Sequence, residues 1–143
     1  MPTSLVNAIG QRALHVSFLK NESDEGELYA MSEILLKGIP FDACLEKYKI
    51  FEKTMWFMME YLKNWYDDEP EDFQKEMRAD YRTVAETYQF KRKIAAFEKN
   101  YMYDSPVLCI AFSMDIYDDE GSYVAIYTAI FDLNGNCIDD LMR

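Results

Sequence analysis

The sequence predicts an α+β fold with about four helices, including a central antiparallel helical hairpin, followed by a C-terminal three-stranded antiparallel β-meander. Two patterns lead to this prediction. Apolar residues recur at spacings of three and four over residues 41–66, whereas apolar and aromatic residues alternate between turn sequences from residue 107 onward. The chain has 143 residues, half of them apolar, so we expect residues 1–143 to form a single domain with one core.

Two helices are expected before residue 40. Residues 3–20 carry apolar side chains at helical spacing, but the alternation over residues 14–18 is typical of a strand. One helix, and a shorter helix followed by a strand, therefore both remain open for this segment. A second helix is predicted to begin after Ser23 as its N-cap and to end at Gly38, before the helix-breaking Pro40.

The third helix, over residues 41–66, has the strongest periodicity in the chain. Its apolar positions form a heptad-like seam: Cys44, Tyr48, Phe51, Met55, Met58, Leu62 and Trp65. Apolar residues also lie off the seam, around Trp56 and Tyr61. A helix that is apolar on several faces is central in the core or is shared with a second copy, which makes a homo-oligomer through helix 41–66 one alternative.

A fourth helix is predicted to follow the acidic turn at residues 67–72 and to run to about Tyr103. The short link predicts that it packs antiparallel on the third helix. Three strands should follow, over residues 107–117, 122–133 and 136–141. The first two are joined by the loop at 118–121, and Asn134-Gly135 is expected to form a two-residue hairpin turn with positive φ at both positions.

Charge and cysteine content exclude several classes of protein. The formal net charge is -11, so direct binding to nucleic acid is not expected, because phosphate contacts need clustered basic residues. No apolar run approaches the ~20 residues of a membrane helix, and no secretory signal is visible. Three widely spaced cysteines are typical of reduced thiols, and together these features predict a cytoplasmic protein.

Motifs of catalysis and of cofactor binding are missing from the sequence. His15 is the only histidine, which argues against histidine-based catalysis and multi-histidine metal sites. The five glycines form no phosphate-binding loop, and residues 132–136 match a calcium loop poorly, since the glycine is misplaced. We therefore predict no catalytic residues, no metal and no cofactor.

Acidic residues are concentrated towards the C-terminus. From Asp104 onward there are eight acidic residues, and the only base is Arg143. Basic residues of the predicted fourth helix (Lys91, Arg92, Lys93 and Lys99) would neutralise the sheet through surface ion pairs in the simplest interpretation. The functional interpretation is an acidic face that imitates the charge of nucleic acid and binds a basic partner through the following residues: Asp115, Asp118, Asp119, Glu120, Tyr123, Tyr127, Asp139 and Asp140.

These features predict a non-enzymatic, acidic protein-binding module. By analogy of class, it is an inhibitor of the anti-defence or immunity type that occupies a basic surface on a nucleic-acid-binding enzyme or a toxin. One alternative is a small enzyme or ligand-binding domain that uses carboxylates and tyrosines in a pocket between sheet and helices. That alternative requires a concave pocket with a buried acid, such as Asp115. The other alternative is the homo-oligomeric structural protein.

Overall fold

A computed structural model describes residues 35, 36 and 38–143 and confirms the α+β class. Its elements, in chain order, are β1 (Leu35–Leu36), β2 (Ile39–Pro40), α1 (Phe41–Lys47), α2 (Ile50–Asp68), α3 (Pro70–Met77), α4 (Tyr81–Thr87), β3 (Gln89–Asn100), β4 (Val107–Tyr117), β5 (Tyr123–Phe131) and β6 (Cys137–Met142). Strands β3, β4, β5 and β6 form one antiparallel sheet in that order. The sheet is therefore a meander with one strand more than predicted.

The predicted helix over residues 3–20 lies outside the described residues, as does the predicted second helix up to residue 34. Where that second helix should end, Leu35 and Leu36 instead pair with β2 in a two-stranded ribbon. Gly38 has a φ of 84° between these strands. The glycine does permit a reversal of the chain, but the reversal joins two strands and does not end a helix.

The predicted helix 41–66 is interrupted after α1. Lys49 adopts a left-handed conformation with a φ of 53°, and α2 begins only at Ile50. The break divides the predicted seam, so that the fully buried residues of α2 follow a spacing of four: Ile50, Thr54, Met58 and Leu62. Thr54 is accommodated in this apolar stripe because its hydroxyl donates to the carbonyl oxygen of Ile50 at 2.7 Å.

The predicted fourth helix is wrong over most of its length. Helix α3 ends at the left-handed Arg78 (φ 68°), and α4 begins after Asp80, whose side chain accepts the backbone N–H of Thr83 at 2.8 Å. From Gln89 the chain is extended and pairs with β4 along the whole of β3. Because residues 89–100 form a strand and not the second half of a long fourth helix, the predicted antiparallel helical hairpin does not form.

A β-bulge between Arg92 and Ile94 explains why β3 has the sequence pattern of a helix. Phe90 and Phe97 are seven residues apart and would face opposite sides of a regular strand. The extra residue at the bulge returns them to the same face, where both pack on the core. A spacing of seven is also two helical turns, so periodicity alone favoured the wrong element.

The two hairpin loops of β4–β5 and β5–β6 have the same hydrogen bonding. In each loop an aspartate (Asp118 or Asp132) accepts, through Oδ1, the backbone N–H groups two and four residues further on, at 2.8–3.0 Å. The glycine three residues after each aspartate has a positive φ, 86° at Gly121 and 85° at Gly135. Asn134 is not among the positive-φ residues, so the predicted two-residue turn is wrong, and the reversal is a longer loop with a glycine bulge.

The core lies between α2 and one face of the sheet, which we call the inner face. Alternate residues of the two central strands point inwards: Ile110, Phe112, Met114, Ile116, Ala125, Tyr127, Ala129 and Phe131. The residues between them, including Cys109 and Asp115, belong to the opposite, outer face. None of the described helices has the length and apolar character needed to cross a membrane.

Candidate functional site

An open cleft of about 820 Å³ lies between α2, α3 and the β5–β6 end of the inner face. Six carboxylate residues line it: Glu60, Asp68, Glu69, Asp72, Glu76 and Asp140. Four large aromatic residues lie beside them: Trp56, Phe57, Tyr61 and Trp65. Arg143 is the one basic residue in the lining. We call this feature the acidic cleft.

The repeat of α2 places acidic and aromatic side chains on neighbouring rows. Trp56, Glu60 and Asp68 are separated by multiples of four and share one row, while Phe57, Tyr61 and Trp65 form the next. The first row is exposed and lies away from the buried stripe of Ile50 and Met58, whereas the second row is half-buried and packs against the core. The exposed fraction of Trp56 is 59%, so much of a large apolar side chain is open to solvent at this site.

Aromatic donors hold two of the carboxylates in the cleft. Trp65 Nε1 donates to Asp72 Oδ2 at 2.9 Å, and the Tyr127 hydroxyl donates to Asp140 Oδ2 at 2.6 Å. Burial and the neighbouring Asp140 carboxylate raise the pKa of Tyr127, so the phenol stays protonated and remains a donor. Tyr61 packs edge-on against Tyr127 at 5.7 Å between ring centroids. Asp72 and Asp140 are therefore oriented by groups that are themselves packed.

The predicted partner-binding residues Tyr127 and Asp140 meet at this cleft. Asp140 contributes to its lining, whereas the Tyr127 ring is fully buried in the core beneath it. Tyr127 therefore contributes through the position of Asp140, and its ring is not part of the exposed acidic surface. The other members of the predicted set lie elsewhere.

Asp118, Asp119, Glu120 and Tyr123 belong to the β4–β5 hairpin. Asp118 has a structural role: it accepts two backbone N–H groups and pairs with Arg78 at 3.4 Å. Its pKa is lowered, chiefly by the hydrogen bond from the Ser122 backbone. Asp119 and Glu120 are exposed, and the Tyr123 ring packs edge-on against Tyr117.

The hairpin lies at one end of the acidic cleft. Arg78 donates to the carbonyl oxygen of Tyr123 at 3.2 Å, and the adjacent residues Met77 and Val124 both line the cleft. The exposed carboxylates of Asp119 and Glu120 therefore extend the acidic surface beyond the cleft.

Asp115 and Asp139 lie on the outer face, away from the cleft. Asp115 has an exposed fraction of 8%, and its Oδ2 accepts from Lys93 Nζ at 3.3 Å and from the Tyr117 hydroxyl at 3.4 Å. Asp139 is exposed and accepts from the Tyr103 hydroxyl at 3.2 Å. The eight predicted residues are thus divided between the cleft, the hairpin and the outer face.

The basic residues predicted for a fourth helix lie on the edge strand β3. Lys93 pairs with Asp115, as the charge-neutralising interpretation expects. Lys91 lies over the Tyr117 ring at 4.9 Å, and Arg92 lies over the Phe51 ring at 4.1 Å. None of these bases lines the acidic cleft, so its charge is not neutralised by them.

A buried acid that sequence reasoning missed is Glu98 on the outer face. Its exposed fraction is 4%, it lies directly opposite the buried Cys109, and its Oε1 has no hydrogen-bond partner among the described residues. Burial raises the pKa of the Glu98 carboxyl and raises that of the Cys109 thiol to about 12. The sequence did not mark Glu98 as special. In the helix predicted for this segment, a glutamate would be an ordinary exposed residue.

Glu98 makes stability depend on pH in a predictable direction. A folded-state pKa above the ordinary value of 4.5 means that the folded state binds the proton more tightly. The free energy of unfolding should therefore fall as the pH rises above about 4.5, through the folded-state pKa. Glu98→Gln should remove this slope and stabilise the protein at pH 7 by about 1 kcal/mol or more, since an ionised buried carboxylate is avoided.

Urea unfolding between pH 4 and pH 8 measures this effect. Glu86→Gln is the matched control, because Glu86 is exposed and makes only a surface ion pair with Arg82. A Glu98→Gln curve parallel to that of the unmodified protein would contradict the prediction.

Across the part of the chain that the structure describes, no three His, Cys, Asp or Glu residues form a group that could hold a metal ion. Cys109 and Cys137 are not joined by a disulfide. Comparison with protein-family models, curated proteins and solved structures finds no match to this chain.

Proposed function

We propose that this chain is a non-enzymatic protein-binding module whose acidic cleft takes up a basic surface of a partner protein. The observation that supports this most directly is the lining of the cleft, in which six carboxylates and four large aromatic residues accompany a single arginine. Six carboxylates along one cleft give it a negative potential, which a basic partner surface would complement.

The aromatic residues give the cleft a second property of binding surfaces. Interface centres are enriched in Trp and Tyr, which contribute a large contact area at a low cost in side-chain entropy. Trp56 is 59% exposed here, and Asp72 and Asp140 are held by aromatic donors. Groups already held in position lose little freedom when a partner docks.

The finer form of the proposal is that the module acts as an inhibitor of the anti-defence or immunity type in the cytoplasm. A partner that ordinarily binds nucleic acid presents a basic groove, and carboxylates at the cleft and at Asp119 and Glu120 would occupy it in place of phosphates. The net charge of -11 would also speed the encounter with such a partner.

A small ligand-binding or enzymatic domain is the alternative favoured by the position of the cleft between sheet and helices. Tyr61 and Asp140 lie in it, as a carboxylate–tyrosine site requires. The acids that are desolvated, Glu98 and Asp115, lie on the outer face instead. Since acid–base chemistry needs the desolvated acid in the pocket, this separation favours binding over catalysis.

Homo-oligomerisation through residues 41–66 would also cover Trp56. Sedimentation velocity over a range of concentrations distinguishes the two cases. If the chain self-associates through Trp56, the mass of the sedimenting species should rise with concentration, and Trp56→Ala should abolish the rise. The proposed module requires no such rise.

Charge reversal in the cleft tests the proposed function. Glu60 and Glu76 are exposed residues of its lining, and replacing both by lysine should weaken binding of a basic partner at least about tenfold, because like charges then face each other. The partner is first enriched from host lysate, and its affinity for the purified variants is then measured by calorimetry.

The matched control is Glu46→Lys with Glu86→Lys, which makes the same change in net charge at exposed positions outside the cleft. An equal loss of affinity in both double variants would show that total charge decides binding and would contradict a role for the cleft. Asp119→Lys with Glu120→Lys tests the hairpin separately, and Asp118 is left unchanged because it holds the loop.

A further inference from the structure

Aromatic side chains of α2 lie beside the carboxylates in the acidic cleft. Trp56 and Tyr61 lie next to Glu60 on the same helix, and Tyr61 packs edge-on against Tyr127, whose hydroxyl donates to Asp140. A cation that enters this cleft therefore meets aromatic rings and carboxylates together. Such an environment distinguishes cations by their shape and hydration as well as by their charge.

The guanidinium of arginine fits these two features better than the ammonium of lysine. It is planar and weakly hydrated, stacks on aromatic rings, and forms two parallel hydrogen bonds with one carboxylate. An ammonium group is a compact, strongly hydrated point charge that gains less from a ring. Carboxylates held in place, as Asp72 and Asp140 are, reward a donor of fixed geometry.

We propose that the acidic cleft selects arginine side chains over lysine side chains of its partner, an inference that rests on the proposed function of the cleft as a docking site for a basic protein. Trp56, which is 59% exposed, supplies the selectivity, and the carboxylates supply the general attraction for cations. The two contributions come from different residues and can be separated by substitution.

Calorimetric titration with two short amidated peptides of equal length, one of arginine and one of lysine only, tests the inference. We expect the arginine peptide to bind at least about threefold more tightly at physiological salt. Trp56→Ala should bring the ratio of the two affinities close to one while leaving the lysine peptide almost unaffected.

Three controls separate the contributions. Tyr101→Ala removes an aromatic side chain that is 69% exposed and lies outside the cleft, so the arginine preference should persist. The double variant Glu60→Gln, Glu76→Gln should weaken the binding of both peptides to a similar extent and preserve the ratio of their affinities. Spermine, a polycation without a guanidinium group, should behave like the lysine peptide.

Each contrary result has a distinct meaning. Equal affinity for the two peptides would overturn arginine selectivity and leave the proposed function standing. A preference that survives Trp56→Ala, or spermine binding more tightly than the arginine peptide, would also overturn the inference. Failure of the cleft to bind either peptide, with the Glu60→Gln and Glu76→Gln pair making no difference, would count against the proposed function itself.

Discussion

Replacing Gly135 by alanine should destabilise the fold by about 2–5 kcal/mol, one of the two largest effects that we expect. A Cβ atom at this position would approach Cβ, Cγ and Cδ1 of Tyr48 to 2.8 Å, and Gly135 already has a φ of 85°. The left-handed conformation costs an alanine about 1–2 kcal/mol, and overpacking typically adds about 1–3 kcal/mol. Tyr48 cannot avoid the contact by rotation of its ring, because its Cβ is among the atoms that clash.

Gly121 provides a matched control for this prediction. It occupies the equivalent place in the β4–β5 loop with a φ of 86°, but a Cβ there would have no atom within 4 Å. Gly121→Ala should therefore show the conformational cost alone, about 1–2 kcal/mol. Urea unfolding of both variants measures the difference, and equal losses would show that the approach of Tyr48 does not constrain the loop.

The reason for this sensitivity is the contact between the β5–β6 loop and the junction of α1 and α2. Lys53 Nζ donates to the carbonyl oxygen of Gly135 at 2.7 Å, and Tyr48 lies against the same residue. The loop precedes β6, which carries Asp140 into the acidic cleft. A shift of this loop should therefore displace Asp140 in the cleft as well as lower the stability of the fold.

Phe73→Ala should cost about 3–5 kcal/mol, the other large effect. The Phe73 side chain is fully buried, and its ring packs on Trp65, Tyr66 and Tyr81, with centroids 5.0, 5.2 and 6.5 Å away. This aromatic cluster joins α2, α3 and α4, so that removal of its central ring leaves a cavity bordered by three helices. The surrounding rings can close such a cavity only in part.

The same substitution should affect the acidic cleft. Phe73 supports Trp65, whose Nε1 holds Asp72 on the cleft wall. Chemical unfolding gives the loss of stability, and Phe73→Leu, which keeps most of the buried volume, allows peptide binding to be measured in a protein that still folds. Tyr101→Ala, at an exposed position, should change stability by less than about 0.5 kcal/mol. If Phe73→Ala lowered the free energy of unfolding by as little as Tyr101→Ala does, Phe73 would not be the centre of the aromatic cluster.

Strands β4, β5 and β6 could be predicted from the sequence because their signals are local. Alternation places Ile110 and Phe112 on one face without knowledge of any distant residue, and the loops contain Asp and Gly at positions where a reversal uses them. The Asn134-Gly135 pattern nevertheless predicts a two-residue turn, which is not the turn that the structure has. Its geometry depends on Asp132 accepting backbone N–H groups and on the approach of Tyr48.

Residues 89–100 could not be predicted from local patterns. The segment is rich in residues that form helices well, such as Lys and Ala, and its bulge gives Phe90 and Phe97 a helical spacing. Pairing with β4 satisfies the backbone groups on one edge of this segment, and that partner lies beyond a loop in the sequence. Tertiary pairing of this kind overrides a weak local propensity.

The amino-acid sequence by itself determined the α+β class, the acidity and three of the four strands of the described sheet, because composition and short-range periodicity carry that information. Only the tertiary structure decided which acids lie together. Asp140 on β6 joins Glu60 on α2 and Asp72 on α3 in one cleft, whereas Asp139, the residue before it in the chain, faces the other side of the sheet. The alternation of a strand separates adjacent carboxylates, and packing of the helices on the inner face gathers distant ones.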